Sequence, residues 1–88
     1  MNSPLHTTLN ILALLCDHSY SAIELQRRNG DMSIATLKRH ITEARSLGAK
    51  IESLKSGSVW CYHLKNKDQI STRLFRWLEL EQARDLVS

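Results

Sequence analysis

Met32-Ser33-Ile34-Ala35-Thr36-Leu37-Lys38-Arg39-His40-Ile41-Thr42-Glu43-Ala44-Arg45-Ser46-Leu47-Gly48 is the stretch on which the reading of this chain turns. Its apolar residues, Ile34, Leu37, Ile41, Ala44 and Leu47, recur at the spacing that lines one face of a helix. Ser33 can start that helix by accepting a backbone N–H, and Gly48 can end it in the left-handed conformation. With the apolar stripe inward, a step of about 100° per residue turns Ala35, Arg39, Thr42 and Ser46 outward. Thr36 and Glu43 flank them on one side and Lys38 on the other. The outer face is small, hydroxylic and basic toward its N-terminal end, as a helix approaching bases and phosphates requires. An ordinary amphipathic helix with a solvated face has the same pattern, so the neighbouring segments decide.

Upstream, residues 1–6 carry little pattern and are expected to fray. Leu9, Leu12, Ala13 and Cys16 then form one stripe, with Ile11 and Leu15 beside it, a helix buried over more than half its circumference. His18-Ser19 breaks it. In Tyr20-Ser21-Ala22-Ile23-Glu24-Leu25, Ser21 and Glu24 have capping-box spacing, and Tyr20 and Leu25 stand at the positions of a hydrophobic staple. The short helix they open closes on Arg27-Arg28, charges suited to a helix C-terminus. Asn29-Gly30-Asp31 reads as a turn, and two helices joined by a tight glycine turn form a helix-turn-helix.

Downstream the period changes from helical to alternating. Residues 49–54 and 59–64 read as strands joined by Lys55-Ser56-Gly57-Ser58. Trp60, Tyr62 and Leu64 share one side, expected with Ile51 to cover the helices; Val59, Cys61 and His63 share the other. After the polar connector Lys65-Asn66-Lys67-Asp68-Gln69, with Asn66 or Asp68 as a cap, a fourth helix is expected over roughly 69–86. Its stripe is Ile70, Leu74, Trp77 and Leu78, with Phe75, Leu80, Leu86 and Val87 outside it. A helix apolar on more than one side needs cover from a partner, and Leu74, Phe75, Trp77, Leu78 and Leu86 are the expected dimer contacts. The fold class that results is α+β, mainly α: three helices and a β-hairpin over residues 1–67, and an extra C-terminal helix over 68–88.

Eighty-eight residues make one domain, and an apolar share of 42% is enough for a small core without staples. Two cysteines are too few for a disulfide framework and fit a reduced, cytoplasmic setting. No apolar run reaches membrane-spanning length, and Met1-Asn2-Ser3-Pro4 lacks the basic start of a signal peptide. The net charge of +3 is unevenly spread: nine Lys/Arg against five Asp/Glu in residues 1–67, three against four in 68–88. A basic body with a near-neutral tail suits a body that binds a polyanion and a tail used otherwise.

From about Leu9 to Leu64 the chain resembles the bacterial winged helix-turn-helix domains of the biotin-repressor N-terminal type, close to the DeoR-like group. The matching residues are Leu9-x-Ile11-Leu12-Ala13-Leu14-Leu15, Tyr20-Ser21-x-x-x-Leu25, Met32-Ser33-x-Ala35-x-Leu37-x-x-His40-Ile41, Leu47-Gly48-x-x-Ile51 and Tyr62-x-Leu64. The resemblance implies a DNA-binding transcriptional regulator, such as a repressor, with a recognition helix over about 33–47 in the major groove. The wing, residues 55–58, would touch a neighbouring backbone or minor groove. Carried onto this sequence, Ala35, Thr36, Arg39 and Thr42 read bases, Ser33, Lys38 and Arg45 contact phosphates, and Lys55, Ser56 and Ser58 form the wing tip. The partner this implies is double-stranded DNA; the second copy of the chain is expected from the apolar C-terminal helix. The ligand or catalytic domain that follows in those regulators has no counterpart in these residues, so no small-molecule ligand is expected. A stand-alone winged helix of this size resembles regulators of phages and other mobile elements.

Other constellations are weaker. Cys16-x-His18 and Cys61-x-His63 offer four zinc-type ligands, but one-residue spacing is not that of structural zinc sites, so no metal is expected. His40 reads as packing or a phosphate contact. No serine elbow, phosphate loop or converging carboxylate pair occurs, and neither an enzyme nor a cofactor is expected. Trp60 and Tyr62 have the chemistry to stack on bases, but packing under the hairpin is favoured for both. A protein-interaction adaptor without DNA contact, or an accessory factor that bends DNA in recombination or replication, stands as the alternative function.

Overall fold

The computed structural model describes residues 4–87, with side chains described for residues 5–80. Helix α1 (Pro4–Asp17) starts inside the segment, residues 1–6, that is expected to fray. Pro4 stands at the first helical position, where its missing N–H costs nothing and its fixed φ is already helical. Thr8, Leu9, Ile11, Leu12 and Leu15 are buried, whereas Ala13, placed on the apolar stripe by its spacing, is exposed. Two other helices pack on α1, so its covered face is wide and shifted away from Ala13.

After His18-Ser19 comes a two-residue strand, β1 (Tyr20–Ser21), which the sequence pattern does not reveal. Two residues carry no period. Helix α2 (Ala22–Arg28) follows at once, capped by the Ser21 hydroxyl, which accepts the Glu24 N–H at 3.1 Å and donates to the Glu24 carboxylate at 3.2 Å. Tyr20 and Leu25, the expected staple, are both buried.

The connection to helix α3 (Ile34–Ser46) is fixed at several points. Gln26 grips Met32 twice: its carbonyl accepts the Met32 N–H at 3.2 Å, and its side-chain amide donates to the Met32 carbonyl at 3.0 Å. The Asn29 amide donates to the Leu25 carbonyl at 2.7 Å. Gly30 and Asp31 both take positive φ, 77° and 55°, a conformation that Gly adopts freely and Asp tolerates better than most residues. Helix α3 ends in a Schellman motif: the Ala49 N–H reaches the Ala44 carbonyl and the Gly48 N–H the Arg45 carbonyl, with Ala44 and Ala49 both buried.

Strands β2 (Ile51–Ser56) and β3 (Val59–Leu64) pair antiparallel from Ile51↔Leu64 to Ser56↔Val59, leaving a two-residue turn, Gly57-Ser58, shorter than the loop expected. β1 pairs on the far side of β3 through Tyr20↔Tyr62 and Ser21↔Cys61, giving the sheet order β1-β3-β2. Helix α4 (Lys67–Val87) begins inside the expected connector. Asn66 stands just before it, but its side chain ties two segments together. It accepts the Lys50 N–H at 2.9 Å and donates to the Gly48 carbonyl and to the Gln69 side chain, both at 3.0 Å.

The architecture is a small, mainly helical α+β domain of four helices and a three-stranded antiparallel sheet. One core joins α1, α2, α3, the base of the sheet and the start of α4, where Ile70 and Leu74 are buried. The start of the C-terminal helix thus packs into the same core as residues 1–67. Among the described residues, no helix is long and apolar enough to cross a membrane.

Two substitutions test this packing by urea unfolding. Ile70→Ala, in a fully buried position of α4, should cost about 2–5 kcal/mol; a loss below about 1 kcal/mol would detach α4 from the core. Gly30→Ala meets no neighbouring atom, so its cost of about 1–2 kcal/mol comes from the left-handed backbone alone.

Candidate nucleic-acid interface

The orientation of α3 follows from which of its residues are buried. Leu37, His40, Ile41 and Ala44 face α1 and the rest of the core. The opposite side presents Ala35, Lys38, Arg39, Thr42, Arg45 and Ser46 to solvent, with Thr36 and Glu43 half-buried at its margin. Among the described residues neither Lys38 nor Arg39 is paired with a carboxylate; the ion pairs there are His18–Asp17 and Lys65–Glu52. Two unneutralised cations thus share this face.

Several expected contact residues have internal partners. Ser33 caps the helix, accepting the Thr36 N–H at 3.1 Å and donating to the Thr36 hydroxyl at 3.0 Å. The Thr42 hydroxyl donates back to the Lys38 carbonyl at 3.0 Å, which leaves its oxygen as an acceptor. Arg45, expected on phosphate, donates to the Ile51 carbonyl at 2.9 Å and fastens the end of α3 to β2. His40 is withdrawn from the surface altogether: it is buried, its Nδ1 lies 2.8 Å from the Thr8 hydroxyl, and a phosphate contact is ruled out by its position.

The hairpin departs most from expectation. Its inner face carries Ile51, Ser53, Lys55, Trp60, Tyr62 and Leu64, which the strand register places in opposed pairs. Ile51, Tyr62 and Leu64 are buried, as their alternation predicts, but Trp60 is 52% exposed. The helices cover only the base of the hairpin, and its outer half projects past them. Ile34, counted on the buried stripe of α3, is 44% exposed for the matching reason: it sits in the first turn, beyond the last residue that the core covers. Between these overhanging ends lies a cleft of about 430 Å³ lined by Ala22, Ile34, Lys38, Ser53, Trp60 and Tyr62. The Lys55 ammonium stands 5.9 Å from the centre of the Trp60 ring. Lys55, Ser56 and Ser58 are all exposed at the hairpin tip.

The residues expected to dimerise separate into classes. Leu74 is buried in the chain's own core and has almost no surface to offer; Trp77 and Leu78 are half-buried; Phe75 is 77% exposed. Leu86 lies outside the residues whose side chains are described.

The Cys/His pairs do not converge. Among the described residues, no group of three or more His, Cys, Asp or Glu is placed to hold a metal ion. The His18 Nδ1–H donates to the Ser19 carbonyl at 2.8 Å and the ring stacks on Tyr20 at 4.1 Å, while His63 Nδ1 meets the Ser19 hydroxyl at 2.9 Å. Burial pushes the Cys16 thiol up, opposed by the Lys67 ammonium, so Cys16 stays protonated at neutral pH and packs as a small hydrophobe. No protein-family model, curated protein or solved structure matches the chain.

The buried Thr8–His40 pair supports the back of α3. Thr8→Val removes the hydroxyl at nearly constant volume and should cost about 1–3 kcal/mol, the penalty for an unsatisfied buried partner. Urea unfolding that showed no change would mean that the pair does not anchor α3.

Proposed function

We propose that the chain is a sequence-specific regulator that binds double-stranded DNA as a winged helix-turn-helix. In this reading α3 enters the major groove, and the hairpin tip, residues 55–58, lies on the backbone or in the minor groove. The observation that carries it is the outer face of α3. Ala35, Lys38, Arg39 and Thr42 stand exposed together on a helix whose other face and both ends are fixed. Small residues there let the helix approach closely, Arg39 has the forked donors that suit guanine, and Lys38 supplies charge for phosphate. Arg39 and Thr42, with Ala35 and Thr36 nearer the N-terminus, are the base-reading set; Arg45 holds the fold and contributes at most a secondary contact.

The reading includes a homodimer through α4, supported by the exposed Phe75 and Leu80, which their own protomer does not cover. Two copies would engage two half-sites. A second reading, a protein-interaction module, draws support from the outward face of the hairpin, where Leu54 and Val59 are 50% and 42% exposed. Gel shifts with competitor DNA separate the two.

Arg39→Ala should weaken binding to a selected site by about 1–3 kcal/mol and relax one of its positions. Lys55→Ala should weaken binding to all sequences alike and lower the salt slope by about one. Equal retention of DNA by both variants and the native chain would remove α3 and the hairpin from the interface. Because Ile70 and Leu74 belong to the core, dimerisation is best tested by Phe75→Glu with Leu80→Glu rather than by deleting α4. Light scattering should report a dimer for the native chain and a monomer for the double variant.

A further inference from the structure

The cleft between α3 and the hairpin is not needed for a helix to lie in a groove, yet it has a defined chemistry. Trp60 and Ile34, both about half exposed, form apolar walls beside buried Tyr62. Lys38 brings an ammonium and Ser53 a hydroxyl, and the lining contains no carboxylate. Lys55 adds a second positive charge at the Trp60 ring. A volume of about 430 Å³ is in the range of sites that enclose small organic ligands and is more than a phosphate group requires. An aromatic face, an aliphatic wall and cations beside them are the combination by which proteins hold single nucleotides: the base stacks and the phosphate is neutralised.

A base inside a duplex is stacked on both faces and shows only its edge to the groove. It can reach the Trp60 ring only by leaving the stack, at a cost of a few kcal/mol that is least where the nucleotide is already unpaired. The cleft also adjoins the face of α3 assigned above to the duplex, sharing Lys38 with it. We propose that this cleft holds one unpaired nucleotide of an otherwise double-stranded DNA, its base against Trp60 and Ile34 and its phosphate near Lys38. The proposal rests on the DNA-binding reading and adds a structural preference to it: the chain favours duplexes carrying an unstacked nucleotide.

The test compares one duplex with the same duplex carrying a single bulged thymidine, by fluorescence anisotropy at low salt. The native chain should bind the bulged DNA about tenfold more tightly, the size of one base–aromatic stack. Trp60→Leu should bring the ratio of the two affinities to about one, and Trp60→Tyr, which keeps an aromatic face, should retain most of it. Arg39→Ala should leave the ratio in place while weakening both complexes. Equal affinity of the native chain for the two duplexes overturns the nucleotide site and leaves duplex recognition standing, as does a preference that survives in Trp60→Leu. Failure to bind either DNA overturns duplex recognition and the site together.

Discussion

Leu37, His40, Ile41 and Ala44 have to be buried together, and that constraint sets the rest of the structure. They cover one side of a thirteen-residue helix, so burying them against α1 leaves the other side in water. Nothing else is needed to turn Lys38 and Arg39 outward. The Gln26–Met32 bonds set where α3 begins relative to α2, and the Schellman turn with the Arg45–Ile51 bond sets how it passes into the sheet. Both ends of α3 are thus held by hydrogen bonds as well as by apolar contact.

The sheet is small and makes one further demand. Pairing of β1 with β3 ties the chain before α2 to the hairpin, which brings the N-terminal ends of α2 and α3 beside Trp60. Because the hairpin is longer than the helical layer beneath it, its outer half cannot be covered from inside the chain. An overhang that is aromatic and basic leaves a surface that a charged polymer fits well. A neutral apolar partner would leave Lys38 and Lys55 to be desolvated without compensation.

Much of this was legible in the residues. Helical spacing identified α3, capping residues at Ser21 and Ser33 marked two starts, Gly48 marked an end, and alternation with a glycine turn marked the hairpin. What could not be read has physical causes. A period states which face a residue is on, but not how far the opposing layer extends, so Trp60 and Ile34 fall on covered faces by spacing and are nonetheless exposed. The strand β1 is too short to have a pattern, and its pairing with β3 joins residues far apart in the chain. Arg45 looks like a surface donor in the sequence because its partner, Ile51, comes from another element, and the two readings of His40, packing or a phosphate contact, are separated only by Thr8 from α1. Leu74 stands among the expected dimer contacts because spacing does not show that α4 packs against α1, and its burial inside the chain is not legible from period alone.

In the proposed function, the outer face of α3 reads the sequence of a DNA duplex. Repeated selection of duplexes bound by the native chain from a random pool tests it most directly, with the Arg39→Ala variant run in parallel. The native chain should enrich one motif, and a single position within each half-site should lose its preference when Arg39 is removed. A selected pool no different in sequence from the starting pool would contradict it.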